Sequence, residues 1–319
     1  MKKNATRYLA LGLTAFLLLI PPPASANAEV KSTFQYSLSN FSGKFPFNEV
    51  RVRADRARDE VYVVDGGTVR VFNNVGMEVY WFGDDPAYGS IFDLAIDEKG
   101  DILLLSYDLS DPLAPKYSII RCNYRGEIRE KIQVSGAPSE FLFGPNTMLY
   151  RDGNFILVNM NQAKAVITDE KGVFRQGYDF LKIIELPEKD RSDTELFGFS
   201  MDPEGNMLFT IPVLFKAYLV SPEGKMVASF GKAGSAPGMF GVVSGIAVDD
   251  LGNYLVVERL RSVVMIFNKE FRFLKEFGYR GTKPGNLVAP NDVAVGNSGK
   301  LYVNQVRERG VSVFSLAFD

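Results

Sequence analysis

From about residue 50 to the C-terminus, short apolar runs alternate with polar turns. The runs are short and rich in β-branched and aromatic side chains, as in Ile246-Ala247-Val248, Tyr254-Leu255-Val256-Val257, Val293-Ala294-Val295 and Leu301-Tyr302-Val303. Bounded by Asp, Gly and Asn, they predict strands. Their near-continuous apolarity predicts strands covered on both faces.

The turns recur. Asp97-Glu98-Lys99-Gly100-Asp101 is followed by Arg151-Asp152-Gly153-Asn154, Asp202-Pro203-Glu204-Gly205-Asn206, Asp249-Asp250-Leu251-Gly252-Asn253 and Gly296-Asn297-Ser298-Gly299-Lys300. The glycines are spaced by 53, 52, 47 and 47 residues. Asp55-Arg56-Ala57-Arg58-Asp59 is a degenerate sixth copy. Each copy carries a second hairpin, turning at Asn74-Val75-Gly76, Tyr124-Arg125-Gly126, Glu170-Lys171-Gly172, Pro222-Glu223-Gly224 and Lys269-Glu270. Two hairpins per copy at this period predict an all-β fold, a six-bladed β-propeller of four-stranded antiparallel blades. The last copy supplies only three strands before Asp319, and Ser32 to Leu38 is a spare strand near the N-terminus. It is expected to complete the last blade and close the ring; the alternative is an arm packed elsewhere.

Phe230-Gly231 through Pro237-Gly238-Met239-Phe240, and Phe277-Gly278 through Pro290, are similar to the linkers between NHL repeats. Gly245-Ile246-Ala247-Val248-Asp249, Gly252-Asn253, Val256-Val257-Glu258 and Val264-Met265-Ile266-Phe267 resemble the NHL core, with Glu258 where the family usually has Asp. The last third carries the resemblance most specifically. It implies a scaffold for protein interactions. RNA-binding members use a basic face, and exported bacterial relatives accompany envelope or multihaem electron-transfer systems.

The N-terminus adds a targeting signal: basic Lys2, Lys3 and Arg7, the apolar run Leu9 to Ile20, then Pro21 to Pro23 and the cleavage pattern Ala24-Ser25-Ala26. Residues 1–26 are therefore expected to be a signal peptide, and 27–319 a single propeller domain in the periplasm or secreted. The apolar run is too short for a comfortable membrane span. The net charge of −2 gives no basic surface for nucleic acid.

Composition narrows the chemistry further. The chain has no histidine, which removes the commonest general base and nitrogen metal ligand. Its one cysteine, Cys122, falls at a packing position of a third strand and is expected to be an inert thiol.

Two sets of aligned positions are candidate sites. Glu49, Asp93, Asn146, Gly198, Gly245 and Asp292 stand where the innermost strands are expected to begin. Oxygen donors there suit Ca²⁺, or simply cap turns. Asp65, Ser106, Asn159, Ile211, Glu258 and Gln305 lie six positions after each turn glycine, where NHL repeats carry a structural acid that bonds loop backbone. From these, Glu49, Asp93, Asn159 and Asp292 are the candidate metal ligands of a calcium-dependent lactonase- or esterase-like hydrolase resembling the gluconolactonase propellers. Amidating-lyase propellers also resemble NHL proteins, but their metal site relies on histidine. Arg259, Arg261, Arg307 and Arg309, in loops of adjacent blades, are the candidate partner-binding residues, with pairing to Glu258 and Glu308 the alternative. The leading expectation is a non-catalytic scaffold, without cofactor, that binds an envelope protein or small ligand on one propeller face.

Overall fold

The computed structural model describes residues 30–47, 50–110 and 116–318. Residues 1–26, the expected signal peptide, lie outside these residues. Six four-stranded antiparallel sheets follow one another in chain order, and within each sheet strands consecutive in sequence are neighbours, apart from the N-terminal strand in the last. Their innermost strands are Arg51–Asp55, Ser90–Ile96, Thr147–Arg151, Phe199–Met201, Val243–Val248 and Pro290–Val295. These belong to blades one to six in that order.

The repeated turn chemistry explains why the hairpins form. In blade five, Asp249 Oδ1 accepts the N–H groups of Leu251 and Asn253 at 2.9 and 2.8 Å, while Gly252 takes a φ of 80° that favours glycine. The second hairpin uses the same device: Asn73 and Asn268 each hold two N–H groups two and four residues on. Such side chains supply a local acceptor that pre-forms the turn.

Packing lies between blades. Each of the six blade–blade contacts holds an apolar cluster. Every residue of Tyr254–Glu258 and Val263–Phe267 is buried, as expected for strands covered on both faces. Cys122 is fully buried in the cluster between blades one and two, and burial pushes its thiol up to about 12.

Val30–Ser37 is the outer strand of the last blade, antiparallel to Val311–Phe318, with Val30 opposite Phe318 and Ser37 opposite Ser312. Phe34 meets Phe314 edge-on at 5.7 Å, and Phe314 in turn meets Phe277 of blade five at 4.8 Å. The N-terminal strand is thus stitched to the last blade and, through Phe314, to its neighbour. Among the described residues no helix is long and apolar enough to cross a membrane.

Candidate functional site

Strand pairing fixes which inner-strand residues share a level of the channel. Ala54, Ile96, Tyr150, Met201, Val248 and Val295 pair with Val61, Ile102, Phe155, Met207, Tyr254 and Leu301 at one equivalent register. Three residues earlier on each strand stand Arg51, Asp93, Thr147, Gly198, Gly245 and Asp292.

This corrects the expected ring at two places. Blade one contributes Arg51 rather than Glu49, which lies outside the described residues, and blade three contributes Thr147 rather than Asn146. Turn length is the reason. The first turn of blade three closes between Arg151 and Asn154 with only two residues. Blade one closes between Asp55 and Glu60 with four and no glycine, Asp59 taking the φ of 53° instead. The turn is thus one residue shorter than the others in blade three and one longer, without a glycine, in blade one, so a fixed count back from the turn misses the channel register in both.

The channel is polar at one level and apolar at the other. Near the polar level, Arg53 reaches from blade one to blade two. Its Nη2 lies 2.6 Å from Asp93 Oδ2, and its Nε donates to Leu94 O at 3.3 Å. Asp93 is fully buried, and its Oδ2 also accepts the N–H of Met148 in blade three at 2.9 Å. One carboxylate thus joins three blades. Asp292 sits deep in the channel. Its Oδ1 accepts the N–H of Val293 at 2.9 Å, and it forms no ion pair with a described residue. Burial holds its carboxyl above the ordinary range, although Arg53 and Arg51 pull the other way. Gly245 leaves room for it: a Cβ there would lie 2.4 Å from Asp292 Oδ1 and 2.6 Å from its Cα.

Of the four candidate metal ligands, Glu49 lies outside the described residues, and the polar atoms of Asp93 and Asn159 are taken up by contacts within the protein. Arg53, the N–H of Met148 and the N–H of Leu94 occupy the oxygens of Asp93. Asn159 ends the second strand of blade three, donating to Gly144 O at 2.7 Å and accepting from Gln162 N at 2.8 Å. No cluster of three or more acidic or sulfur side chains suited to a metal exists among the described residues. A guanidinium beside both channel acids is the wrong neighbour for a site that Ca²⁺ fills with six to eight oxygens.

The second set of positions is structural where its contacts are visible. Asn159 reaches Gly144 O, Glu258 Oε1 accepts Val242 N at 2.7 Å, and Gln305 Oε1 accepts Val288 N at 2.8 Å. Ser106 donates to Tyr88 O. Each ties the end of its second strand to the segment entering the same blade.

The four arginines do not present one basic patch. Arg261 is held by both carboxylate oxygens of Glu276 at 2.7 Å and donates to Met239 O at 3.1 Å. Arg309 donates to Thr282 O at 3.0 Å. Arg307 is exposed, at a φ of 59°. Arg259 lines the polar end of the channel, a recess of about 310 Å³, together with Arg51, Asn146, Asn161, Asn291 and Glu195.

The opposite end opens into a bowl of about 580 Å³. Ala54, Ile96, Tyr150, Met201, Val248 and Val295 form its collar, with Arg53, Ser200 and Asp292 among the lining residues beneath. Sequence reasoning missed Arg51, Arg53 and this collar. The alternation Val50-Arg51-Val52-Arg53-Ala54 was the available signal, since arginines inside an apolar strand need buried partners.

These features define a six-bladed β-propeller of the type shared with virginiamycin B lyase. Among solved structures, the chain resembles a protein of unknown function from Bacteroides thetaiotaomicron, with TM-score 0.64 and 12% identity over 91% of this chain and 77% of that one. An auxiliary nutrient binding protein from Bacteroides ovatus gives TM-score 0.59 and 14% identity over 91% and 77%. Virginiamycin B lyase from Staphylococcus aureus gives 0.56 and 10% over 91% and 99%. At such identities the likeness is one of fold alone. No protein-family model and no curated protein matches the chain.

Proposed function

We propose that this chain is an exported, non-catalytic binding propeller of the NHL-repeat type, which presents an end of its channel to a small ligand or an envelope partner. The observation that carries this reading is the engagement of the channel chemistry. Asp93 is spent on Arg53 and two backbone N–H groups. Asn159 and Glu258 are spent on loops. No histidine exists to act as a base, and Cys122 is buried between blades one and two. The fold-related Staphylococcus aureus lyase is catalytically inactive as a histidine-to-alanine variant, and this chain has no histidine to offer. The linkers Phe230 to Phe240 and Phe277 to Pro290 support the NHL assignment, and residues 1–26 support export.

The test uses the chain from Asn27 onward, incubated with a panel of lactones and esters, with and without Ca²⁺. No turnover is expected. Calcium-dependent turnover that disappears in Asp292→Asn would overturn the binding reading in favour of a hydrolase. Export is checked separately, by recovering the chain from the periplasm or medium with Asn27 at its N-terminus.

A further inference from the structure

A groove of about 490 Å³ lies at the outer edge of blade one, away from both ends of the channel. The outer strand Glu78–Phe82 forms one wall. A short hairpin, Ser39–Asn40 paired with Gly43–Lys44, forms the other, anchored by Ser39 N–H donating to Gly76 O at 2.9 Å. Phe41 at the hairpin tip is 98% exposed, and Val79 and Trp81 are each 50% exposed. The matching strand of blade two instead exposes Arg129, Glu130 and Lys131. Single exposed apolar residues are ordinary, whereas three lining one groove mark a contact site. The indole is also held in place. Arg70 stands opposite Trp81 across the strand pair, with its guanidinium 5.9 Å from the Trp81 ring and 4.7 Å from that of Phe45. Glu78 Oε1 holds that guanidinium at 2.7 Å. Polar groups line the same groove and are only partly used. Asn40 Oδ1 accepts Ser42 N–H at 2.8 Å, which pins the amide and leaves its two N–H donors without a partner among the described residues. Ser42 Oγ and Glu78 Oε2 likewise make no hydrogen bond with a described residue.

We propose that this groove binds a neutral carbohydrate, with a sugar ring stacked on Trp81 beside Phe41 and its hydroxyls on Asn40, Ser42 and Glu78. The other ligand classes fit less well. An anion would meet no basic residue among those lining the groove. A cation would find Glu78 already paired with Arg70. A wholly apolar ligand or a lipid tail would bury the Asn40 amide, the Ser42 hydroxyl and the Glu78 carboxylate without partners, which is costly. A sugar ring matches both halves of the groove. Its C–H face suits the negative face of an aromatic ring, and its hydroxyls both donate and accept. The groove is separate from the channel, so this site goes beyond the binding role given to the channel ends and does not depend on it.

Trp81 is the only tryptophan of the chain, so its fluorescence reads the site directly. The experiment titrates the chain from Asn27 onward with cellotetraose, maltotetraose, mannotetraose and N-acetylchitotetraose, and separately with phosphatidylcholine vesicles, following Trp81 emission and calorimetric heat. At least one of the oligosaccharides is expected to saturate one-to-one at millimolar concentration or below, with Trp81 emission moving to the blue. Calorimetry is expected to show at least ten-fold weaker binding in Trp81→Ala and in Phe41→Ala, partial retention in Trp81→Phe, and no change in the channel variant Asp292→Asn. Both alanine variants alter exposed side chains and are expected to melt as the parent does, so the loss reads binding and not folding. The proposal is overturned if none of the four oligosaccharides saturates, or if binding survives unchanged in Trp81→Ala. It is also overturned if Asp292→Asn abolishes binding, which would place the sugar in the channel, or if vesicles shift Trp81 emission and the sugars do not, which would assign the groove to a lipid surface. Turnover on lactones or esters would sink the non-catalytic reading and leave this proposal untouched.

Discussion

Arg53 Nη2 and Asp93 Oδ2 lie 2.6 Å apart inside the channel, bridging two blades, and the same oxygen accepts a backbone N–H from a third. The carboxylate is fully buried and the guanidinium side chain is only 17% exposed. Removing one member of such a pair strands the other charge away from water, which costs about 3–5 kcal/mol. Asp93→Ala and Arg53→Ala are each expected to lose that much in urea unfolding. The double variant Arg53→Met/Asp93→Leu is expected to lose less than the sum, because neither charge is then stranded. Additive losses would mean that the two residues act independently and that the contact is incidental to ring cohesion.

Asp292 makes the opposite prediction. Its carboxyl is raised above the ordinary range by burial, so the folded chain holds this proton more tightly than the unfolded chain. The stabilising contribution is therefore complete below the ordinary carboxylate range, and it fades as pH climbs through the folded value. Asp292→Asn removes the charge and keeps the shape. A higher Tm than the parent is expected at pH 8, with the gap closing towards pH 3. A variant less stable than the parent at pH 8 would show that Arg51 and Arg53 depend on this charge more than burial opposes it.

Cys122 packs with Tyr62, Phe82 and Leu104 between blades one and two. With its thiol pushed up to about 12, only about one molecule in ten thousand carries the reactive thiolate at pH 8. Labelling with a disulfide reagent at that pH is expected to proceed no faster than global unfolding, and to be complete within minutes in denaturant. Rapid labelling of the native chain would place a local opening at this blade contact.

The six-blade architecture was legible because each turn carries its own chemistry, an Asp or Asn acceptor followed by glycine, and because strands covered on both faces stay apolar without interruption. The channel was less legible. Its lining depends on register, and register depends on turn length, which differs by one residue in opposite senses at Asp152-Gly153 and at Asp55 to Asp59. Counting from the glycine reached the register of Asp93 and Asp292 but missed that of Thr147 in blade three, and blade one, where Arg51 stands, has no glycine to count from. The pairings of the arginine loops were hard to read for a different reason. Glu276, which holds Arg261, lies 15 residues further on in the outer strand of the same blade, and Thr282, which holds Arg309, lies on the linker between the last two blades. Neither pairing leaves a mark in local sequence.

Ring closure by the N-terminal strand yields the last prediction. Val30–Ser37 covers an edge that would otherwise expose the unpaired backbone of Val311–Phe318, and an open edge of that length invites pairing with another chain. A chain beginning at Leu38 is expected to melt at a lower temperature and to self-associate with rising concentration. Phe314→Ala in the intact chain should lose about 3–5 kcal/mol, the usual range for a buried phenylalanine, because Phe314 contacts both Phe34 and Phe277. Gln35→Ala, which removes an exposed bond to Ser315 Oγ, should change stability by less than about 0.5 kcal/mol. The decisive measurement is complementation. A synthetic peptide of residues 30–37 added to the shortened chain should raise its Tm in proportion to the logarithm of peptide concentration, as a ligand that binds only the folded state must. A Tm indifferent to the peptide, or a shortened chain as stable as the parent, would mean that the ring closes without this strand and that its pairing is a consequence of folding and not a cause of stability.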